Sequence, residues 1–178
     1  MEHSARRWGG APEPSARSVV VGAVSIGEWA LPLQPQPGGT HALLIGAGDP
    51  RMRRLCIASL ERIAERIHAE ETEEAIVAQA QISRPALVVL DAELSQGSGL
   101  EACRRIREHR LTRETAIIVV SANADPEERE RAFAAGADAF VLKPFRPTAL
   151  ELLAIDVCAL RPSGTRQASA DDRHRRPA

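Results

Sequence analysis

Three polar side chains stand where short apolar runs end. Asp91 closes the run at 86–90, Ser121 the run at 116–120, and Lys143 the run at 139–142, while Gly46, Ala47, Gly48 and Asp49 follow an earlier run at 42–45. If those runs are parallel strands, their carboxyl ends share one rim of the sheet, which is where ligands and reacting groups gather in open α/β folds. A carboxylate, a hydroxyl and an ammonium brought together there suit phosphoryl transfer. The carboxylate can attack phosphorus, and the other two can hold the phosphoryl oxygens. Composition adds weight to the lysine: of 23 basic side chains only Lys143 is not arginine. A compact, mobile point charge differs chemically from a planar guanidinium fork, so a lysine kept against so strong a bias is a candidate for a specific role.

The elements that must position these groups can be read along the chain. Residues 42–45 form a strand, and Asp49 with Pro50 gives a cap and first-turn signal for a helix with the stripe Met52, Cys56, Leu60, Ile63 and Ile67. A second strand is faint and falls near 67–70, followed by a helix over 73–81. The continuous apolar run 86–90 has the character of a central parallel strand, and a Ser/Gly loop at 95–99 leads into a helix over 100–109. Strand 116–120 precedes a helix opened by Asp125, Pro126, Glu127 and Glu128 and closed by Gly136 as a left-handed cap. A fifth strand covers 139–142, and Pro147 opens a last helix ending near Leu160. Five strands alternating with five helices predict an α/β fold, a doubly wound parallel sheet with helices on both faces.

At 178 residues, 44% hydrophobic and 26% charged, the chain has room for one well-filled domain with ragged ends. The expected division is a disordered arm over 1–40, a folded domain over 41–160 and a disordered basic tail over 161–178. The arm is rich in Gly, Pro, Ser and Ala and ends in the linker-like QPQPGG. Its β-prone segment 19–26 reads first as an unpaired apolar patch, with addition to a sheet edge as the alternative. The domain carries 15 basic and 19 acidic side chains, and the tail five Arg and two Asp. This balance gives no electrostatic case for nucleic acid as the main partner. No stretch is apolar enough to span a bilayer, and the three widely spaced cysteines without a CxxC read as reduced thiols of a cytoplasmic protein. The five histidines have no metal-ligand spacing. Gly46 and Gly48 lack the third glycine of a dinucleotide loop because Arg51 takes its slot, which argues against a nucleotide-dependent enzyme.

The separations of 30 residues from Asp91 to Ser121 and 22 from Ser121 to Lys143, with the phrases RPALVVLDAEL, GLEACRRIRE and AIIVVSANADPEERERAFAAGADAFVLKPF, resemble the receiver domain of two-component response regulators over 42–160. The resemblance implies a flavodoxin-like sheet of strand order 2-1-3-4-5 and a signalling module rather than an enzyme. It implies Asp91 as phosphoacceptor, Ser121 as the hydroxyl that follows the phosphoryl group, Lys143 as its ion-pair partner, Phe140 as an aromatic switch residue, and a cis peptide between Lys143 and Pro144. Its implied partners are a sensor histidine kinase or histidine phosphotransfer protein and a downstream protein target, without specific nucleic acid or membrane.

One departure is marked. The family's acidic pair after the first strand chelates Mg²⁺, and the register fixed by Asp49 and Pro50 puts Ala47 and Gly48 there. The remaining ligands would be Asp91 and the backbone carbonyl of Glu93, with Asp49 as a substitute if the loop slips by one residue, so Mg²⁺ binding is expected to be weak or absent. Ser95 replaces the usual loop proline. The alternative function is a phosphorylation-independent pseudo-receiver that binds other proteins. Acids restored at both 47 and 48 are expected to raise Mg²⁺ affinity and Asp91 phosphorylation together, unless Gly48 is kept for its backbone angle.

Overall fold

The computed structural model describes residues 42–160 together with the short strand Val19–Val21. The expected disorder of the rest of the arm and of the tail lies outside the described residues. In chain order the elements are β1 (Val19–Val21), β2 (Ala42–Gly46), α1 (Pro50–Leu60), β3 (Arg66–Glu70), α2 (Glu73–Ser83), β4 (Leu87–Asp91), α3 (Gly99–Glu108), β5 (Ala116–Ser121), α4 (Pro126–Ala134), β6 (Ala139–Leu142) and α5 (Pro147–Leu160). All strand pairs are parallel, and the sheet runs β3-β2-β4-β5-β6-β1. The five strands of the domain therefore follow the predicted order 2-1-3-4-5. β1 adds a sixth at the far edge, with Val20 in register with Phe140. Segment 19–26 thus takes its sheet-edge alternative over Val19–Val21, because β6 would otherwise leave a row of backbone groups unpaired.

Strands β2, β4 and β5 are buried from end to end, as expected of parallel strands covered on both faces. Alternation divides their side chains between two cores. Leu43, Ile45, Val89, Ile118 and Val120 pack with α1 and α5, while Leu44, Val88, Leu90, Ile117 and Val119 pack with α2, α3 and α4. One predicted stripe needs correction. Helix α1 ends at Leu60, Ile63 lies in the turn beyond it, and Ile67 belongs to β3 opposite Leu43. Ladder pairing with β2 outweighs continuation of the helix, and Ile63 and Ile67 still rest against the α1/α5 core. β3 was faint in the sequence because it is an edge strand, with a half-exposed composition, RIHAE.

The helix starts arise from local chemistry. Asp49, Thr72, Ser98 and Asp125 each accept a backbone N–H from the first turn of α1, α2, α3 and α4. Gly136 closes α4 at φ +100°, as its position predicts.

Candidate functional site

The rim formed by the carboxyl ends of β2, β4, β5 and β6 brings Asp91, Ser121 and Lys143 together. Asp91 is the last residue of β4 and only 3% exposed. Lys143 Nζ lies 2.7 Å from both Asp91 carboxylate oxygens. Oδ1 also accepts the Glu93 N–H at 3.1 Å. Ser121, equally buried, ends β5. Its backbone carbonyl accepts the Lys143 N–H at 2.8 Å, and its Oγ accepts the Asn123 N–H at 3.1 Å. The Lys143–Pro144 peptide is cis. The aromatic position, Phe140, is buried on the other face of the sheet, in the α2/α3/α4 core.

The face from which Asp91 projects is set by alternation. Asp91 follows Val89, and Val89 faces α1 and α5, so Asp91 projects on that face above Cys56 of α1. The Cys56 thiol is pushed up from 9.0 to about 12, chiefly by burial, then by the Asp91 carboxylate, with Lys143 opposing. The loop after β4 is held close to its own strand. A Cβ at Gly99 would stand 2.0 Å from the Asp91 carbonyl oxygen, so only glycine admits this return of the chain. The loop is also tied to the start of α2. Ser95 N–H donates to the Glu71 carbonyl at 3.1 Å, Glu73 N–H to the Gln96 carbonyl at 3.0 Å, and Ser98 N–H to Glu73 Oε2 at 3.0 Å.

Three of these residues escaped the sequence reading. Cys56 appeared as part of a helical stripe and as one of the reduced thiols, without a link to Asp91, and Gly99 only as loop composition. Arg53 is the third: its NH1 donates to the Ala47 carbonyl at 2.8 Å and lies 3.2 Å from Glu71 Oε2. The available signal for Arg53 was its place one turn into the helix that starts beside the strand ends.

The Response regulator receiver domain family matches residues 44–154. The transcriptional regulatory protein SrrA of Staphylococcus aureus is 31% identical over 108 residues, which cover 61% of this chain and 44% of SrrA. The chain thus spans under half the length of that relative. Among solved structures, the BeF3-activated receiver domain of DrrB from Thermotoga maritima matches at 28% identity with a TM-score of 0.62, over 68% of this chain and 99% of that domain. The receiver domain of the sensor histidine kinase PA1611 from Pseudomonas aeruginosa, solved with a magnesium ion coordinated in its active site cleft, shares the fold at 24% identity and a TM-score of 0.62, with 68% of this chain and 99% of that one covered.

Magnesium asks for several oxygen donors in near-octahedral array, and the residues present here do not fit it. Ala47 and Gly48 offer no side-chain oxygen. The Asp49 carboxylate is used as the cap of α1, 2.8 Å from the Arg51 N–H. Among the described residues no three His, Cys, Asp or Glu side chains converge on a point that could hold a metal ion.

Proposed function

This chain belongs to the response regulator receiver domain family, and from that premise we propose that it is a switch in two-component signalling with Asp91 as its phosphoacceptor. One observation carries the reading: a buried carboxylate, a strand-end hydroxyl and the chain's single lysine meet at one rim, with the ammonium on both carboxylate oxygens. In the proposed step an Asp91 oxygen forms a bond to the phosphorus of a phosphohistidine on a kinase or phosphotransfer protein. The P–N bond breaks, and the histidine nitrogen takes a proton from water. Lys143 then pairs with a phosphoryl oxygen in place of the carboxylate, and the Ser121 hydroxyl turns from Asn123 to donate to another. The displacement of Ser121 is passed to Phe140 and to the face around α4, β6 and α5, where a downstream protein would read it. The three free thiols suit a reducing, cytoplasmic setting.

A second reading, a phosphorylation-independent protein-binding module, is favoured by one specific feature. The positions that follow β2 hold Ala47 and Gly48, so no carboxylate there holds a cation to neutralise an incoming phosphoryl group. Intact-mass measurement after incubation with acetyl phosphate or phosphoramidate separates the two. A mass increase of one phosphoryl group, absent from Asp91→Asn, is the expected result. A chain that stays unlabelled while an ordinary receiver is labelled in parallel assigns it to the second class.

A further inference from the structure

Register makes the two missing acids unequal. Ile45 pairs with Val89 in the β2–β4 ladder, and two residues on, Ala47 and Asp91 continue the same alternation. Ala47, like Ile45 and Val89, packs in the α1/α5 core. Its Cβ therefore stands on the face from which Asp91 projects, at about the 5 Å typical of neighbouring strands. Gly48 is different. A Cβ there would lie 2.5 Å from the Ser95 backbone nitrogen and 2.9 Å from the Leu94 carbonyl carbon. That contact is with backbone held by the Ser95–Glu71 hydrogen bond, and no side-chain rotation relieves it. Gly48 does not take a left-handed backbone angle, so the expectation that it is kept for its backbone angle gives way to close approach by the loop.

We infer that this receiver site excludes divalent cations in two separate ways, by lacking a second carboxylate beside Asp91 at position 47 and by seating the Leu94–Ser95 backbone on Gly48, and that only the first can be reversed by substitution. The inference rests on reading Asp91 and Lys143 as the receiver site, and it holds whether or not Asp91 is phosphorylated. Lys143 is then the fixed counter-charge of Asp91, and the chemistry of the carboxylate does not respond to metal. Removing Lys143 would free the Asp91 oxygens without supplying further donors. An acid at 47 would place a second carboxylate within chelating distance of the first. An acid at 48 would have to displace a pinned loop before it could reach the cleft.

Mn²⁺ titration of the full chain, followed by the loss of its free-ion electron paramagnetic resonance signal, tests this directly. Wild type and Lys143→Ala are expected to give no saturable binding up to millimolar Mn²⁺. Ala47→Asp is expected to bind saturably, on the order of tenfold or more below the millimolar limit at which wild type shows nothing, and the gain should vanish when Asp91→Asn is added. Gly48→Asp should bind no better than wild type and should melt at a lower temperature. Saturable binding by wild type or Lys143→Ala that Asp91→Asn abolishes would overturn the inference, as would a folded Ala47→Asp that gains nothing or a stable Gly48→Asp that gains as much. Should Ala47→Asp fail to fold, Ala47→Asn supplies an oxygen donor without the added charge, and the same outcomes apply. Acetyl phosphate labelling with and without Mg²⁺ keeps this apart from the functional reading. Labelling that needs Mg²⁺ sinks the inference and leaves the phosphoacceptor role standing, whereas metal titrations that behave as expected alongside absent labelling do the reverse.

Discussion

At the level of single residues, the rim is governed by how charge is satisfied where water is scarce. A carboxylate 3% exposed is tolerable only when paired and hydrogen-bonded, and Asp91 has both, from Lys143 and from the Glu93 N–H. An incoming group must replace that pair. Cys56 senses the same local field from below. Its thiol sits in the α1/α5 core, 3.9 Å from the Met52 sulfur, with Asp91 and Lys143 as the charged groups that act on it. Because burial raises its pKa, the folded chain keeps a proton that the unfolded chain loses. The resulting stability is fully present below 9.0 and is lost as pH rises through about 12. Cys158 has the same sign, raised to about 11 by burial and then by Asp138. Urea unfolding across this alkaline window should therefore show wild type losing stability faster than Cys56→Ala, with an added slope approaching about 1.4 kcal/mol per pH unit. Parallel slopes for the two proteins would mean that Cys56 is not protected from ionisation by its surroundings.

At the level of elements, what could be read from the sequence was what local chemistry determines. β6 spans the predicted 139–142, the predicted starts of α2 and α5 coincide with the observed ones, and Asp49 caps α1 as its neighbour Pro50 implied. β3 was faint because edge strands carry mixed composition, and the stripe of α1 ran too far because Ile63 and Ile67 pack on the same core from a turn and a strand. Asp91, Ser121 and Lys143 were legible because strand ends share one rim. The fit of Leu94–Ser95 on Gly48 was not, since it joins two loops 46 or more residues apart. Arg107 is a second long-range tie of this kind. From the last turn of α3 it donates to the carbonyls of Arg113, Thr115 at 2.9 Å and Gly136 at 2.7 Å, and it pairs with Asp138 at 3.0 Å. Asp138 Oδ2 in turn accepts the Ile117 N–H at 2.8 Å. One guanidinium thus fixes the entrances of β5 and β6, the strands that deliver Ser121 and Lys143. Arg107→Ala leaves these partly buried carbonyls short of donors and should cost on the order of 2–3 kcal/mol. Arg107→Lys should recover little, because an ammonium cannot span the fork. A urea midpoint unchanged in Arg107→Ala would show that water replaces the guanidinium without loss.

For the whole molecule, the question is where the cooperative unit ends. Among the described side chains, both cores are built within residues 42–160, and the sheet has its five strands in the order 2-1-3-4-5 before β1 is counted. β1 contributes three residues at the edge of β6, and they are joined to β2 by residues 22–41. A strand this short adds little pairing, so β1 should be a minor, separable addition. We expect the fragment 41–160 to unfold in a single cooperative transition with a denaturant slope close to that of the full chain, since the surface exposed on unfolding is nearly the same. Its stability should fall by no more than about 3 kcal/mol, the scale of a few edge hydrogen bonds. Hydrogen exchange offers a local check, because amides of β6 that are not bonded to β5 should exchange faster in the fragment and those of β4 and β5 should not. Loss of the cooperative transition, or accelerated exchange that reaches β4, would place β1 in the folding unit and move the domain boundary upstream of Val19.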